Sequence, residues 1–163
     1  MGDNNIYSCN NGCCKLQINP YKKEPVFYSK NRYKKAGVFI YDPSQSKILL
    51  VQSRGQYWGP PKGTLEIGES ERICAVREVK EETGLDVDEK DFSRAFIKNQ
   101  SIYYYLEMDE CECVVQDHIE GNDVNGIGWV SIECLYDLVK ANKIELSKNC
   151  IRAINYFLDF KFL

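Results

Sequence analysis

Three glutamates, Glu78, Glu81 and Glu82, lie three and four residues apart between Ser70 and Thr83. Ser70 suits a helix N-cap, Glu71 suits the positive start of a helix, and Gly84 suits the residue just past its end. The spacing therefore predicts one helix over about Ser70–Thr83. At roughly 100° per residue, with Glu78 as origin, the three carboxylates fall between roughly −60° and +40°. Ile73, Val76, Val79 and Thr83 fall between roughly 100° and 220°, the expected core-facing stripe. The carboxylates thus share one space, at a cost of a few tenths of a kcal/mol for each like-charged pair. Glu81 and Glu82 also face the negative end of the helix dipole, at about 0.3–1 kcal/mol each if exposed. A hard divalent cation removes both penalties, because carboxylate oxygens are what Mg²⁺ and Mn²⁺ select. The plain alternative is a solvated acidic face, and the helix alone leaves both readings open.

The flanking residues decide between them. Reading outward gives Gly63-x5-Glu69-x7-Arg77-Glu78-Val79-x-Glu81-Glu82-x-Gly84-Leu85. Every restricted position matches the Nudix box, and the chain from about residue 34 onward resembles the Nudix hydrolase superfamily. The resemblance implies an α/β/α sandwich with a mixed β-sheet between helices, and metal-dependent cleavage of a diphosphate linkage with Mg²⁺ or Mn²⁺. It implies Glu78, Glu81, Glu82 and the backbone carbonyl of Gly63 as metal ligands, with Glu81, Glu82 or a late-loop acid taking the proton. Arg77 and Glu69 would form the ion pair that fixes the ligands. Family members commonly carry a further acid six positions before a strand-entering Trp. Counting back from Trp129 gives Asp123, one methylene shorter than the usual Glu, with Glu120 in reserve. The ordinary reading of Asp123 is loop solvation beside Asn122.

Lys35, Arg54 and Lys62 are candidates for the phosphate chain, against an equal expectation of ordinary surface cations. The loop Tyr57-Trp58-Gly59-Pro60-Pro61-Lys62-Gly63 offers aromatic faces on which a base would stack, Trp58 foremost. The string Cys74 to Asp86 looks like the messenger-RNA decapping members of the superfamily. Trp58 to Gly63 looks like the dinucleoside tetraphosphate hydrolases, and diphosphoinositol polyphosphate hydrolases share much of the same box. Lys30, Arg32, Lys34 and Lys35 form a basic cluster that would track an RNA backbone or merely solubilise a strand edge. Capped RNA is the favoured substrate, although 163 residues leave no room for the helical domain that eukaryotic decapping subunits carry in front. A non-catalytic module binding a nucleotide or partner protein is the alternative of another class, and the intact ligand set speaks against it.

Around this motif the remaining elements are legible in outline. Val38–Tyr41 and Ile48–Gln52 read as strands joined by the turn Asp42-Pro43-Ser44-Gln45-Ser46. Further strands are expected near Arg94–Lys98, Ile102–Met108 and Ile127–Val130, and helices over Ile132–Ala141 and Ser147–Phe160. The prolines and glycines from Gly55 to Gly63 exclude a helix or central strand there. The run Tyr103-Tyr104-Tyr105 reads first as core, because alternate strand residues face opposite sides. Residues 1–33 read as an irregular lead-in, with a domain over 34–163.

The net charge of −3 and apolar content of 44% describe an ordinary folded chain with no global affinity for nucleic acid. No segment approaches the roughly 18 apolar residues of a membrane span. Met1–Ile6 lacks the basic flank and apolar core of a secretory signal, and Ile6 is not the Ser or Thr of a myristoylation site. A cytoplasmic location with reduced thiols is expected. The eight cysteines follow no disulfide-scaffold spacing. Zinc ligands come close together at Cys9-x3-Cys13-Cys14 and around Cys111, Cys113 and His118. Neither group holds a paired CxxC and there is a single histidine, so free, partly buried thiols are the expectation.

Overall fold

The computed structural model describes residues 5–18, 34–53, 56–116, 123–159 and 161–162. Its strands are β1 (Asn5–Ser8), β2 (Lys15–Ile18), β3 (Lys35–Asp42), β4 (Lys47–Ser53), β5 (Tyr57–Gly59), β6 (Lys62–Thr64), β7 (Arg94–Lys98), β8 (Ser101–Glu107), β9 (Val124–Ser131) and β10 (Glu145–Leu146). The helices are α1 (Glu71–Thr83), α2 (Ile132–Lys140) and α3 (Lys148–Phe157). One sheet runs β1-β2-β9-β4-β3-β8-β7, with β6 on β3 and β5 bridging β4 and β10. β3 pairs parallel with β8 and antiparallel with β4 and β6, so the sheet is mixed.

The aliphatic run Ile48-Leu49-Leu50-Val51 explains the layering. Successive strand residues point to opposite faces, and Ile48 and Leu50 join one apolar cluster while Leu49 and Val51 join the other. The first cluster packs against Leu135 of α2 and Ile154 of α3. The second packs against Cys74, Ala75 and Val79 of α1. A strand buried on both sides has no need of polar alternation, and the result is an α/β/α sandwich. Tyr103, Tyr104 and Tyr105 are all buried, divided between the two clusters.

Helix boundaries follow local chemistry. The Oγ atoms of Ser70, Ser131 and Ser147 accept from the backbone N–H groups of Ile73, Cys134 and Cys150 at 3.2, 3.1 and 3.1 Å, each an N-cap. Gly84 ends α1 with φ 80°, and its N–H bonds the Lys80 carbonyl. Asp42 is buried and holds the β3–β4 turn by accepting from Ser44 N, Ser44 Oγ and Gln45 Nε2, and from the backbone N–H of Glu110. Those donors pull its carboxyl down to about 2.

Two expectations give way. The irregular lead-in expected over residues 1–33 contains, in its described part, the hairpin β1–β2, and β2 adds to the sheet along β9 with Lys15 opposite Trp129. Its strands are four residues each, too short for the polar–apolar alternation to signal them. The Gly- and Pro-rich stretch before the helix contains β5 and β6, three residues each, on either side of Pro60-Pro61. Both prolines lie outside the strands, where no ladder donor is required.

Candidate active site

α1 carries the carboxylates, but its buried arc differs from the expected one. Ile73 is 49% exposed, whereas Cys74, Ala75, Val79, Glu82 and Thr83 are buried. On the helical wheel that arc runs from roughly −40° to 140°, so it overlaps the carboxylates. The cause is β6, which hydrogen-bonds to β3 through Ala36 and Gly63 and lies against this side of the helix. Glu82 is consequently 4% exposed, enclosed by protein where the wheel alone put it opposite the core.

Gly63 and Glu78 fit together through the absence of a side chain. A Cβ built on Gly63 would fall on the carboxylate of Glu78. Only glycine lets the loop backbone approach that closely. The Gly63 carbonyl accepts from Cys74 Sγ at 3.6 Å, a contact the motif does not announce. Lys62 N donates to Glu82 Oε1 at 3.0 Å, while Glu82 Oε2 has no hydrogen-bond partner among the described residues.

The electrostatics follow from this enclosure. Burial pushes Glu78 up to about 7, with the charge of Glu81 adding and that of Arg77 opposing. Burial raises Glu82 well above the usual carboxylate range, reinforced by the charges of Glu78 and Asp123 and opposed by the Lys62 N–H. Asp123, from the loop entering β9, thus stands within electrostatic reach of Glu82.

Arg77 ties the cluster to the loop. Its Nε and Nη2 reach the two Glu69 oxygens at 2.7 and 2.9 Å, and Nη2 also donates to the Thr64 carbonyl at 3.1 Å. Nη1 reaches Glu78 at 2.9 Å and Glu81 at 3.2 Å. The bidentate pair holds the Glu69 carboxyl at about 2. A planar fork spanning three carboxylates is a task for arginine, not lysine.

The residues present fit a hard divalent cation. Glu78, Glu81, Glu82 and the Gly63 carbonyl make an all-oxygen donor set. An uncompensated buried carboxylate oxygen is costly, and Glu82 Oε2 has the environment that a cation would relieve. Glu81, with its side chain 38% exposed, sits at the open side.

The expected substrate contacts divide. Trp58 is 1% exposed and packed in the core, with its ring lying over Gly126, where a Cβ would meet it at 2.7 Å. It therefore offers no face to a base, which corrects the expectation of stacking there. Tyr57, its neighbour on the opposite strand face, is 45% exposed. Lys62 lies over the Tyr103 ring at 5.8 Å from the centroid and beside Glu82. Lys35 lies opposite Thr64 in the β3–β6 ladder, next to Gly63. Lys34 pairs with Glu71 at 3.5 Å on the surface. Arg54, Lys30, Arg32, Glu120 and His118 lie outside the described residues.

A family model described as NUDIX domain matches residues 32–150. A protein of Invertebrate iridescent virus 3, named as a hydrolase, is 41% identical over 152 residues, covering 87% of this chain and 88% of that protein. The m7GpppN-mRNA hydrolase dcap-2 of Caenorhabditis elegans is 34% identical over 116 residues, covering 64% of this chain but 14% of that protein. Of the solved structures, the dihydroneopterin triphosphate pyrophosphohydrolase of E. coli superposes with a TM-score of 0.57 at 22% identity, over 79% of this chain and 99% of that one. At that identity the likeness is one of fold.

Proposed function

The chain belongs to the NUDIX domain family and is a hydrolase of that family, and from that premise we propose that it cleaves a diphosphate linkage in a nucleoside-diphosphate-linked substrate, the 5′ cap of messenger RNA foremost. The observation that carries the reading is the pairing of half-buried Glu78 with buried Glu82, closed in by a glycine loop whose backbone replaces a side chain.

Glu78, Glu82 and the Gly63 carbonyl would hold Mg²⁺ or Mn²⁺, with Glu81 and Asp123 completing the donor set from the open side. When bound, a divalent cation neutralises diphosphate oxygens and makes water a competent nucleophile near neutral pH. The protein's own residues do the rest. β6 excludes solvent from Glu82, and Arg77 orients Glu78 and Glu81 while drawing on Glu69 and Thr64 for its own position. Proton transfer needs a carboxylate within reach of entering water. Glu81, partly exposed and held by Arg77, meets that condition.

Three observations favour a capped RNA. The Caenorhabditis elegans relative is named as an m7GpppN-mRNA hydrolase. The basic pair Lys34-Lys35 enters β3 directly beside the metal-binding loop, where RNA phosphates beyond the cap would lie, and the exposed Tyr57 ring offers a stacking face. The test is a panel of capped RNA, free cap analogue, diadenosine tetraphosphate, nucleoside triphosphates and diphosphoinositol polyphosphate, with products identified. Release of the capping nucleotide from long capped RNA in preference to the free analogue supports the reading. Preference for diadenosine tetraphosphate or the inositol substrate overturns it, and no turnover of any compound with Mg²⁺ or Mn²⁺ favours a binding module.

A further inference from the structure

Four cysteines meet at the far end of the sheet, and three of them come from one turn. Cys9 follows β1, and Cys13 and Cys14 precede β2. The turn between them is closed by Cys9 N to Cys14 O at 3.1 Å and Gly12 N to Cys9 O at 3.0 Å, with Gly12 at φ 72°. That left-handed residue is one glycine adopts without strain. The fourth, Cys134, sits in the first turn of α2, more than a hundred residues away in sequence.

Cys13 Sγ lies 3.5 Å from the Sγ atoms of Cys9, Cys14 and Cys134, and all four sulfurs are within 4.8 Å of one another. A disulfide requires about 2.0 Å between sulfurs, so none of the three contacts to Cys13 is one. Tetrahedral zinc–thiolate bonds of about 2.3 Å place the sulfurs about 3.8 Å apart, which the cluster approximates. Three of the cysteines are buried, and Cys13 covers them from the solvent side. Neutral thiols are weak donors and acceptors, so their own contacts give little reason to gather four of them from two remote segments.

The surroundings suit the negative charge that four thiolates and one Zn²⁺ would carry. Ser131 N donates to Cys14 Sγ at 3.2 Å, and Asn11 Nδ2 approaches Cys134 Sγ at 3.9 Å. Cys134 lies at the positive end of the α2 dipole. Lys47, itself buried, donates to the Cys13 carbonyl and pairs with Glu110 at 2.8 Å.

We propose that Cys9, Cys13, Cys14 and Cys134 form a structural zinc site that fastens the β1–β2 hairpin to the start of α2. This reverses the expectation of free thiols here. The site is remote from the carboxylates: β9 runs from Val124 to Ser131, about 25 Å of strand between the loop acid and the thiols. Its ligands are also of the opposite kind, soft sulfur against hard oxygen. An anchor is useful there because β1 is the sheet's edge strand and pairs only with β2 among the described residues.

The test is metal analysis of the full chain purified without chelator and dialysed against Mg²⁺, together with Co²⁺ substitution of the wild type. One zinc per chain is expected in the wild type and in Glu82→Gln, and its loss in Cys13→Ser and Cys134→Ser. Co²⁺ should give the intense absorption of a tetrahedral thiolate site. That readout needs no variant to fold, and it does not depend on the reading of the carboxylate site. Substoichiometric zinc with only weak, oxygen-ligand Co²⁺ bands would overturn the proposal, as would a disulfide among these cysteines found by mass spectrometry.

Discussion

The two ends of the sheet gather side chains able to ligate a metal in opposite ways. At one end, α1 and the loop before it supply carboxylates from a continuous stretch, and the pattern is written between Gly63 and Leu85. At the other, thiols at positions 9, 13 and 14 meet one at position 134 only because β2 and α2 converge on β9. The first cluster needs Arg77 and β6 to hold like charges together. The second is closed by backbone turns and a helix start. A site that fits within one helix and its flanking loop is legible in sequence; one that depends on tertiary convergence is not.

The largest effect that would break this contrast is on the carboxylate side. Glu82→Gln should lower kcat about 10²–10³-fold, the scale of losing one group that supports charge stabilisation in the transition state, with zinc content unchanged. Cys134→Ser should do the reverse, with zinc and thermal stability lost and activity of the folded fraction kept within a few-fold. Steady-state kinetics beside metal analysis reads both. Trp58→Ala follows, at about 3–5 kcal/mol of stability by denaturant unfolding, because the indole fills the core. If substrate stacked on it instead, KM would change with stability intact. Arg77→Lys should cost about 10- to 100-fold in activity or metal affinity, the usual range for groups that orient ligands.

The pH dependence of metal-free stability sharpens the same comparison. Burial places Glu78 at about 7, above the roughly 4.3 of an unfolded glutamate. A raised carboxyl gives stability that is whole below the unfolded value and lost as pH rises through the folded one. Thermal stability without metal should therefore fall as pH rises from about 4.5 to about 7, less so in Glu78→Gln or with Mn²⁺ added. The smallest effect expected is in Tyr57→Ala, a few-fold rise in KM by initial-rate measurement, since the ring is half exposed and outside the donor set.

Legibility tracked the length and contiguity of each signal. The helices over Ile132–Lys140 and Lys148–Phe157 and the strands β3, β4, β7, β8 and β9 lie where hydrophobic pattern and caps put them, to within a few residues, whereas β5 and β6 do not. The wheel for α1 went astray because it treats one side as core and the other as water, whereas β6 covers the side bearing Glu82. Trp58 carried no mark separating a core indole from a stacking one. Gly126 is the clue, a glycine in a central strand under the ring, and it acquires meaning only once β9 is placed. The hairpin was hidden by strands of four residues.

The most direct test of the carboxylate account is anomalous scattering from crystals grown or soaked with Mn²⁺. The expected result is a peak within coordination distance of Glu78, Glu82 and the Gly63 carbonyl, absent in Glu82→Gln. An empty pocket in crystals of protein that still hydrolyses its substrate would contradict it.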